Sequence, residues 1–264
     1  MTEKAQPMRA PQVESLTLGD GDARRTVAVQ RRGGRAPGIF WLGGYRSDMA
    51  GTKAAALDAL GAETGLAVTR FDYSGHGHSG GDFADGTITR WLEEARVVFD
   101  STTGDQLLVG SSMGGWLALL LARQLRSEGI ERVKAIVLIA PAVDMTEALM
   151  LAALNEEQRR KLDRDGYVDR LSTYSSEPDR LTKTLIEDGR NHLMFGAVIE
   201  TGCPVTILQG GMDPDVPQAH AHKLAEHILH DPVTLTLIPD GDHRLSREQD
   251  LACLRAAVRR AARL

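Results

Sequence analysis

The chain has 264 residues, 42% of them apolar, and a formal net charge of −5 from 31 basic and 36 acidic side chains. That length and apolar content suit one large folded domain and exclude a disordered chain. No block of five or six like charges occurs, so neither a nucleic-acid surface nor a polybasic membrane patch is expected.

Residues 1–11 are polar and read as a flexible tail with no apolar signal segment, and the folded domain is expected over 12–264. Segments 13–18 and 26–30 alternate in character and predict an opening antiparallel hairpin. Short runs rich in Val, Ile and Leu follow at 39–42, 67–71, 106–109, 133–139, 205–208 and 233–238. Such runs suit parallel strands buried on both faces. Helical patterns lie between them at 52–64, 87–101, 112–128, 217–230 and 246–262. This alternation predicts an α/β fold, an eight-stranded, mostly parallel sheet with helices on both faces. The stretch at about 144–201 breaks the rhythm. It offers helix-like segments at 147–161 and 179–187 and polar loop material at 167–178, with no strand. It is expected to form a small helical cap after the sixth strand, over the carboxyl ends of the strands where open α/β sheets hold their sites. The longest apolar run, 116–122, is far too short to span a bilayer, so no stable membrane insertion is expected. Two cysteines, Cys203 and Cys253, are too few for a disulfide framework and fit a reducing compartment, so the cytoplasm is the expected location. No Cys and His spacing suits a metal, and no cofactor is implied.

Two stretches match G-x-S-x-G: Gly110-Ser111-Ser112-Met113-Gly114 and Gly77-His78-Ser79-Gly80-Gly81. A nucleophile elbow needs a strand running into its Ser and a helix leaving it. Ser112 has both, whereas Ser79 sits between polar loops. The Ser hydroxyl at the tip of such a turn is exposed at a helix N-terminus, where developing negative charge is favoured. The plain alternative is that Ser112 only caps its helix, but capping does not require glycine on both sides.

A Ser hydroxyl needs an imidazole to take its proton and a carboxylate to hold that imidazole. His243 follows the last predicted strand directly. His220, His222, His227 and His230 are assigned to a solvated helix face, and His76 and His78 to a solvated loop. Asp213, Asp215 and Asp144 compete as the carboxylate. Spacing from Gly210 favours Asp213, and Asp215 then reads as a helix cap before Pro217. The donors for a tetrahedral oxyanion are expected to be the backbone N–H groups of Met113 and of Tyr45, in the Gly43-Gly44 loop. Arg46 beside them reads either as an attractor of anionic acyl substrates or as one half of a surface ion pair.

Together these residues resemble the α/β-hydrolase superfamily. Asp72-Tyr73-Ser74-Gly75-His76-Gly77-His78-Ser79 is similar to its D-x-x-G-x-G-x-S loop, which accounts for the second match. Within the superfamily the chain resembles the abhydrolase-domain-ten type of thioesterase and esterase. The resemblance is carried by the segment from Gly44 to Ala54, the Asp72 loop, the segment from Gly110 to Trp116, and Gly241-Asp242-His243-Arg244-Leu245-Ser246. Asp213 falls where that pattern has its acid, while Gln209 stands where relatives commonly have His. The resemblance implies a serine hydrolase acting on carboxylic esters or thioesters, since that type is associated with protein S-palmitoyl thioesters and acyl glucuronides. The expected partner is a small-molecule or acylated-protein substrate. Two other readings stand beside it: the same fold with haloperoxidase-like or carbon–carbon bond hydrolase chemistry, and a binding protein on an inactive scaffold.

Overall fold

The structure is a computed structural model that describes residues 12–21, 24–170 and 179–264. The expected tail over 1–11 and, of the loop expected over 167–178, residues 171–178 lie outside the described residues. Among the described residues, eight strands form one sheet in the order β1-β2-β4-β3-β5-β6-β9-β10. They are β1 (Val13–Leu18), β2 (Arg25–Arg32), β3 (Arg35–Leu42), β4 (Leu66–Phe71), β5 (Gln106–Ser111), β6 (Val133–Ile139), β9 (Val205–Gly210) and β10 (Val233–Ile238). β2 pairs antiparallel with β1 and with β4; every later pairing in the sheet is parallel. All eight match the strands expected from the sequence.

The two-residue period of the strands divides the core into two. Phe40, Leu42 and Leu108 face one side, where they meet α2 (Ile88–Asp100) and α3 (Met113–Ser127). Ile39, Trp41, Leu107 and Val109 face the other, against α1 (Thr52–Thr64) and α7 (Glu248–Ala261). β5, in the middle, is buried along its whole length. α3 is buried from Met113 to Ala122, which explains why its pattern is apolar on nearly every face. α6 (Gln218–His227) starts one residue later and stops earlier than expected, with Pro217 as its cap residue. Among the described residues no helix is long and apolar enough to cross a membrane.

The segment between β6 and β9 departs from expectation. It contains a π-helical turn at Thr146–Leu151, α4 (Glu156–Asp165), strands β7 (Tyr167–Arg170) and β8 (Asp179–Thr182), and α5 (Lys183–Gly189). The single helix expected over 147–161 is broken because Asn155 starts a new one. Its side chain accepts from Gln158 N–H while the Gln158 side chain accepts from Asn155 N–H. The helix expected over 179–187 begins only at Lys183, where the Thr182 hydroxyl accepts from Leu185 N–H. Residues before it pair instead with β7, Tyr167 opposite Thr182 and Arg170 opposite Asp179. Polar, charged sequences such as Asp179-Arg180 give no apolar alternation, so this hairpin carried no strand signal.

Two loops at the carboxyl edge are joined by a buried carboxylate. Asp72, after β4, accepts from Met49 N–H at 2.6 Å and His78 N–H at 2.8 Å. Ser79 belongs to the same knot: its hydroxyl donates to the Asp72 carbonyl and accepts from Ala28 N–H. Asp72→Ala strips both amides of their acceptor and is expected to lower the unfolding free energy in urea by about 2–4 kcal/mol. An unchanged midpoint would show that the two loops are held by other contacts.

Candidate active site

β5 runs straight into Ser112 and α3 leaves straight from it. Ser112 has φ 54° and ψ −119°, a left-handed backbone that costs a non-glycine residue about 1–3 kcal/mol. The neighbours enforce it. A Cβ on Gly110 would lie 2.3 Å from the Gly114 carbonyl oxygen, and one on Gly114 would lie 2.1 Å from that of Leu42. Ser112 N–H donates to the Ile139 carbonyl, and the Ser112 carbonyl accepts from Ala142 N–H, so the turn is pinned to the end of β6. The Ser112 side chain makes no capping bond to α3, which sets aside the plain capping alternative.

The three expected side chains meet. Ser112 Oγ lies 3.0 Å from His243 Nε2, and His243 Nδ1 lies 2.8 Å from Asp213 Oδ2. With Nδ1–H donating to the carboxylate, Nε2 is left as an acceptor for the Ser112 hydroxyl. The loops bearing Asp213 and His243 are packed backbone to backbone. Gly211 N–H donates to the Ile238 carbonyl at 2.7 Å and Met212 N–H to that of Gly241 at 2.9 Å. A Cβ on Gly210 would lie 2.5 Å from the carbonyl oxygens of both Gly241 and Asp242.

The rival carboxylates have other work. Asp144 is buried and accepts from Met194 and Phe195 N–H, anchoring the segment that leads into β9. Asp215 does not cap α6, correcting the expectation. Its own N–H, with that of Val216, donates to Asp213 Oδ1 at 2.9 Å. Asp242 accepts from Leu245 N–H and shapes the turn after His243.

Gly44 abuts the serine: a Cβ there would lie 3.2 Å from Ser111 O and 3.4 Å from Ser112 Cβ. Among the described residues, neither Tyr45 N–H nor Met113 N–H is matched with a protein acceptor. Tyr45 and Ser112 line the same cavity, and Met113 follows Ser112 directly in the chain. Arg46 takes the ion-pair alternative. Its Nε donates to Asp179 Oδ1 at 2.6 Å, and its guanidinium stacks 4.2 Å from the centre of the Phe83 ring. A cavity of about 660 Å³ opens over these groups. Ala142, Met145, Leu149, Met150 and Val216 supply an apolar wall, and Lys53, Arg170 and Asp179 a polar one. Burial lowers the Lys53 ammonium to about 8, and that group donates to the Arg244 carbonyl beside His243.

Two histidine assignments are corrected. His76 is buried, not solvated. Its Nδ1 donates to the Ser74 carbonyl, its Nε2 accepts from Arg46 N–H at 3.2 Å, and its ring meets Tyr73, Phe83 and Trp91 edge-on. It thus fixes the residue after Tyr45. A His between two glycines has no periodicity to betray its burial. His220 is also buried, facing the Val143 carbonyl and the Phe195 ring, while His222 and His230 are exposed as expected and His227 is half-buried. Gln209 is the other residue whose part was missed. It lies fully buried behind Asp213.

The chain is similar to known proteins over most of its length. The Alpha/beta hydrolase family pattern matches residues 33–256. The curated protein named palmitoyl-protein thioesterase ABHD10, mitochondrial, of Mus musculus is 33% identical over 247 residues, covering 92% of this chain and 81% of that protein. A crystal structure from Agrobacterium vitis S4, provisionally described as a hydrolase, superposes with TM-score 0.93 at 49% identity, covering 96% of this chain and all of that one. Mouse alpha/beta hydrolase domain-containing protein 10 superposes with TM-score 0.82 at 32% identity, covering 93% and 96% of the two chains.

Burial holds the His76 imidazole down at about 4, from an ordinary 6.5, and lowers His192 and His220 in the same direction. At these three histidines the unfolded chain binds more protons than the folded one between these limits. Stability is therefore fully present above the ordinary value and is lost as pH falls toward 4. Urea titrations across this range should show that decline, with a shallower slope in His76→Phe. An identical slope in the variant would remove His76 as a contributor.

Proposed function

The chain belongs to the alpha/beta hydrolase family, and from that premise we propose that it is a serine hydrolase cleaving carboxylic esters or thioesters through an acyl-enzyme on Ser112. The observation that carries this reading is the unbroken relay from Ser112 Oγ through His243 to Asp213, at 3.0 and 2.8 Å. Ser112 Oγ attacks the acyl carbonyl as His243 Nε2 takes its proton, and Asp213 stabilises the imidazolium that results. The Met113 and Tyr45 amides receive the oxyanion, at the N-terminal end of α3 where the helix dipole adds to them. His243 returns the proton to the departing alcohol or thiol. It then deprotonates a water that attacks the acyl-serine, releasing the acid and restoring the hydroxyl. None of these steps calls on a metal or an organic cofactor.

The apolar wall formed by Met145, Leu149, Met150 and Val216 favours an acyl chain over a polar group. Relatives that bear the name palmitoyl-protein thioesterase support the ester and thioester class and, within it, long-chain acyl thioesters. The cytoplasm is the proposed compartment, on the strength of two free cysteines, Cys203 and Cys253.

An acyl-chain-length series of p-nitrophenyl esters and acyl thioesters, run on wild type and variants, tests the reading. Ser112→Ala should lose roughly 10⁴-fold or more in kcat and should no longer react with a fluorophosphonate that labels wild type. Asp213→Asn should lose roughly 10⁴-fold, because the imidazole then settles in the wrong tautomer. Turnover that survives Ser112→Ala would refute the acyl-enzyme.

A further inference from the structure

Gln209 is the penultimate residue of β9 and has no exposed surface. Its Nε2 lies 3.2 Å from Asp213 Oδ2, 2.9 Å from the Val216 carbonyl and 3.1 Å from the Gly210 carbonyl. Two hydrogens face three acceptors, so the whole donor capacity of the amide is turned onto the Asp213 turn. Its Oε1, by contrast, is buried and has no partner among the described residues. A Met side chain fills nearly the same volume without stranding a buried oxygen. The amide is therefore kept for what its N–H groups do.

The Asp213 carboxylate shows what that is. Oδ1 accepts from the backbone N–H groups of Asp215 and Val216, both at 2.9 Å. Oδ2 accepts from His243 Nδ1 at 2.8 Å and from Gln209. Gln209 thus shares with the imidazole the very oxygen that faces it. A second donor on that oxygen fixes the plane of the carboxylate and withdraws part of its negative charge. Less charge opposite Nδ1 means less stabilisation of an imidazolium formed there.

We propose that Gln209 is a positioning residue that orients Asp213 and trims its basicity, and so sets the pH range over which His243 acts as a base. This rests on the roles assigned above to Ser112, His243 and Asp213. The imidazole is also approached by the Asp215 carboxylate, within 4.8 Å, and has the Lys53 ammonium nearby on the Arg244 carbonyl. Neither of these is altered by substituting Gln209.

The test is the pH dependence of kcat and kcat/KM for p-nitrophenyl ester hydrolysis by the full chain, with Gln209→Met, Gln209→His and Gln209→Glu, and Ser112→Ala as control. Gln209→Met should lower kcat about fivefold with KM unchanged and move the acid-limb midpoint up by about half a pH unit or more. Gln209→His, which keeps an N–H donor, should hold the wild-type midpoint. A folded Met variant with the wild-type midpoint, or a His variant displaced as far as Met, overturns the proposal. Should the Met variant fail to fold, Gln209→Glu decides. Its carboxyl faces three oxygens and must hold a proton, so its profile should gain a second inflection when that proton leaves, and a single inflection at the wild-type midpoint overturns the proposal. Full activity in Ser112→Ala would instead bring down the acyl-enzyme reading, and the role of Gln209 with it.

Discussion

A Cβ on Gly114 would lie 2.1 Å from the Leu42 carbonyl oxygen, so α3 begins in backbone contact with the end of β3. That approach draws three strand ends together. β5 delivers Ser112, β6 receives its N–H at Ile139, and β3 brings Gly43, Gly44 and Tyr45 alongside. The left-handed backbone of Ser112 is the strain stored by the arrangement, and the close-packed glycines and strand-end hydrogen bonds sustain it. On the far side of β6 the same logic recurs more gently. β9 and β10 end at loops whose glycines, Gly210 and Gly241, let the backbones touch, and this sets Asp213 within reach of His243.

The cap meets this edge through a polar clasp. Asp179 on β8 accepts from Arg46 on one oxygen and from Arg170 of β7 on the other, and the Tyr45 hydroxyl donates to the Arg180 carbonyl at 3.2 Å. Two loops of the sheet and one hairpin of the cap are thus fastened at Tyr45 and Arg46, where His76 also grips the backbone. Tyr45 is held from both sides, its ring packed on Phe83 and Trp91 and its burial pushing the phenol well above its ordinary range. The amide assigned to the oxyanion therefore belongs to a residue with little freedom to drift.

The architecture and the three central side chains could be read from the sequence because each sits on a strong local signal. Buried strands are short runs of Val, Ile and Leu, and Ser112 stands between such a strand and an apolar helix. Asp213 and His243 each follow a strand end. What escaped reading was polar. The β7–β8 pair is made of charged residues whose partners are each other, as in Arg170 with Asp179 and Arg180 with Asp169. His76 and His220 are buried by contacts from residues far away in the chain, which no local window contains. Asp215 looked like a cap for the helix after it, yet its backbone serves the carboxylate two residues before.

Among the described residues β7 and β8 pair only with each other, forming a sheet separate from the main one. The chain departs for the cap from β6 and returns at β9, and these two strands are hydrogen-bonded neighbours. The excursion therefore begins and ends at one seam, leaving the ladder beneath it intact. The strand ends that carry Ser112, Asp213 and His243 are therefore held by a ladder that does not pass through this segment. The proposed acyl-binding wall and the proposed chemistry at Ser112 thus rest on separate parts of the fold.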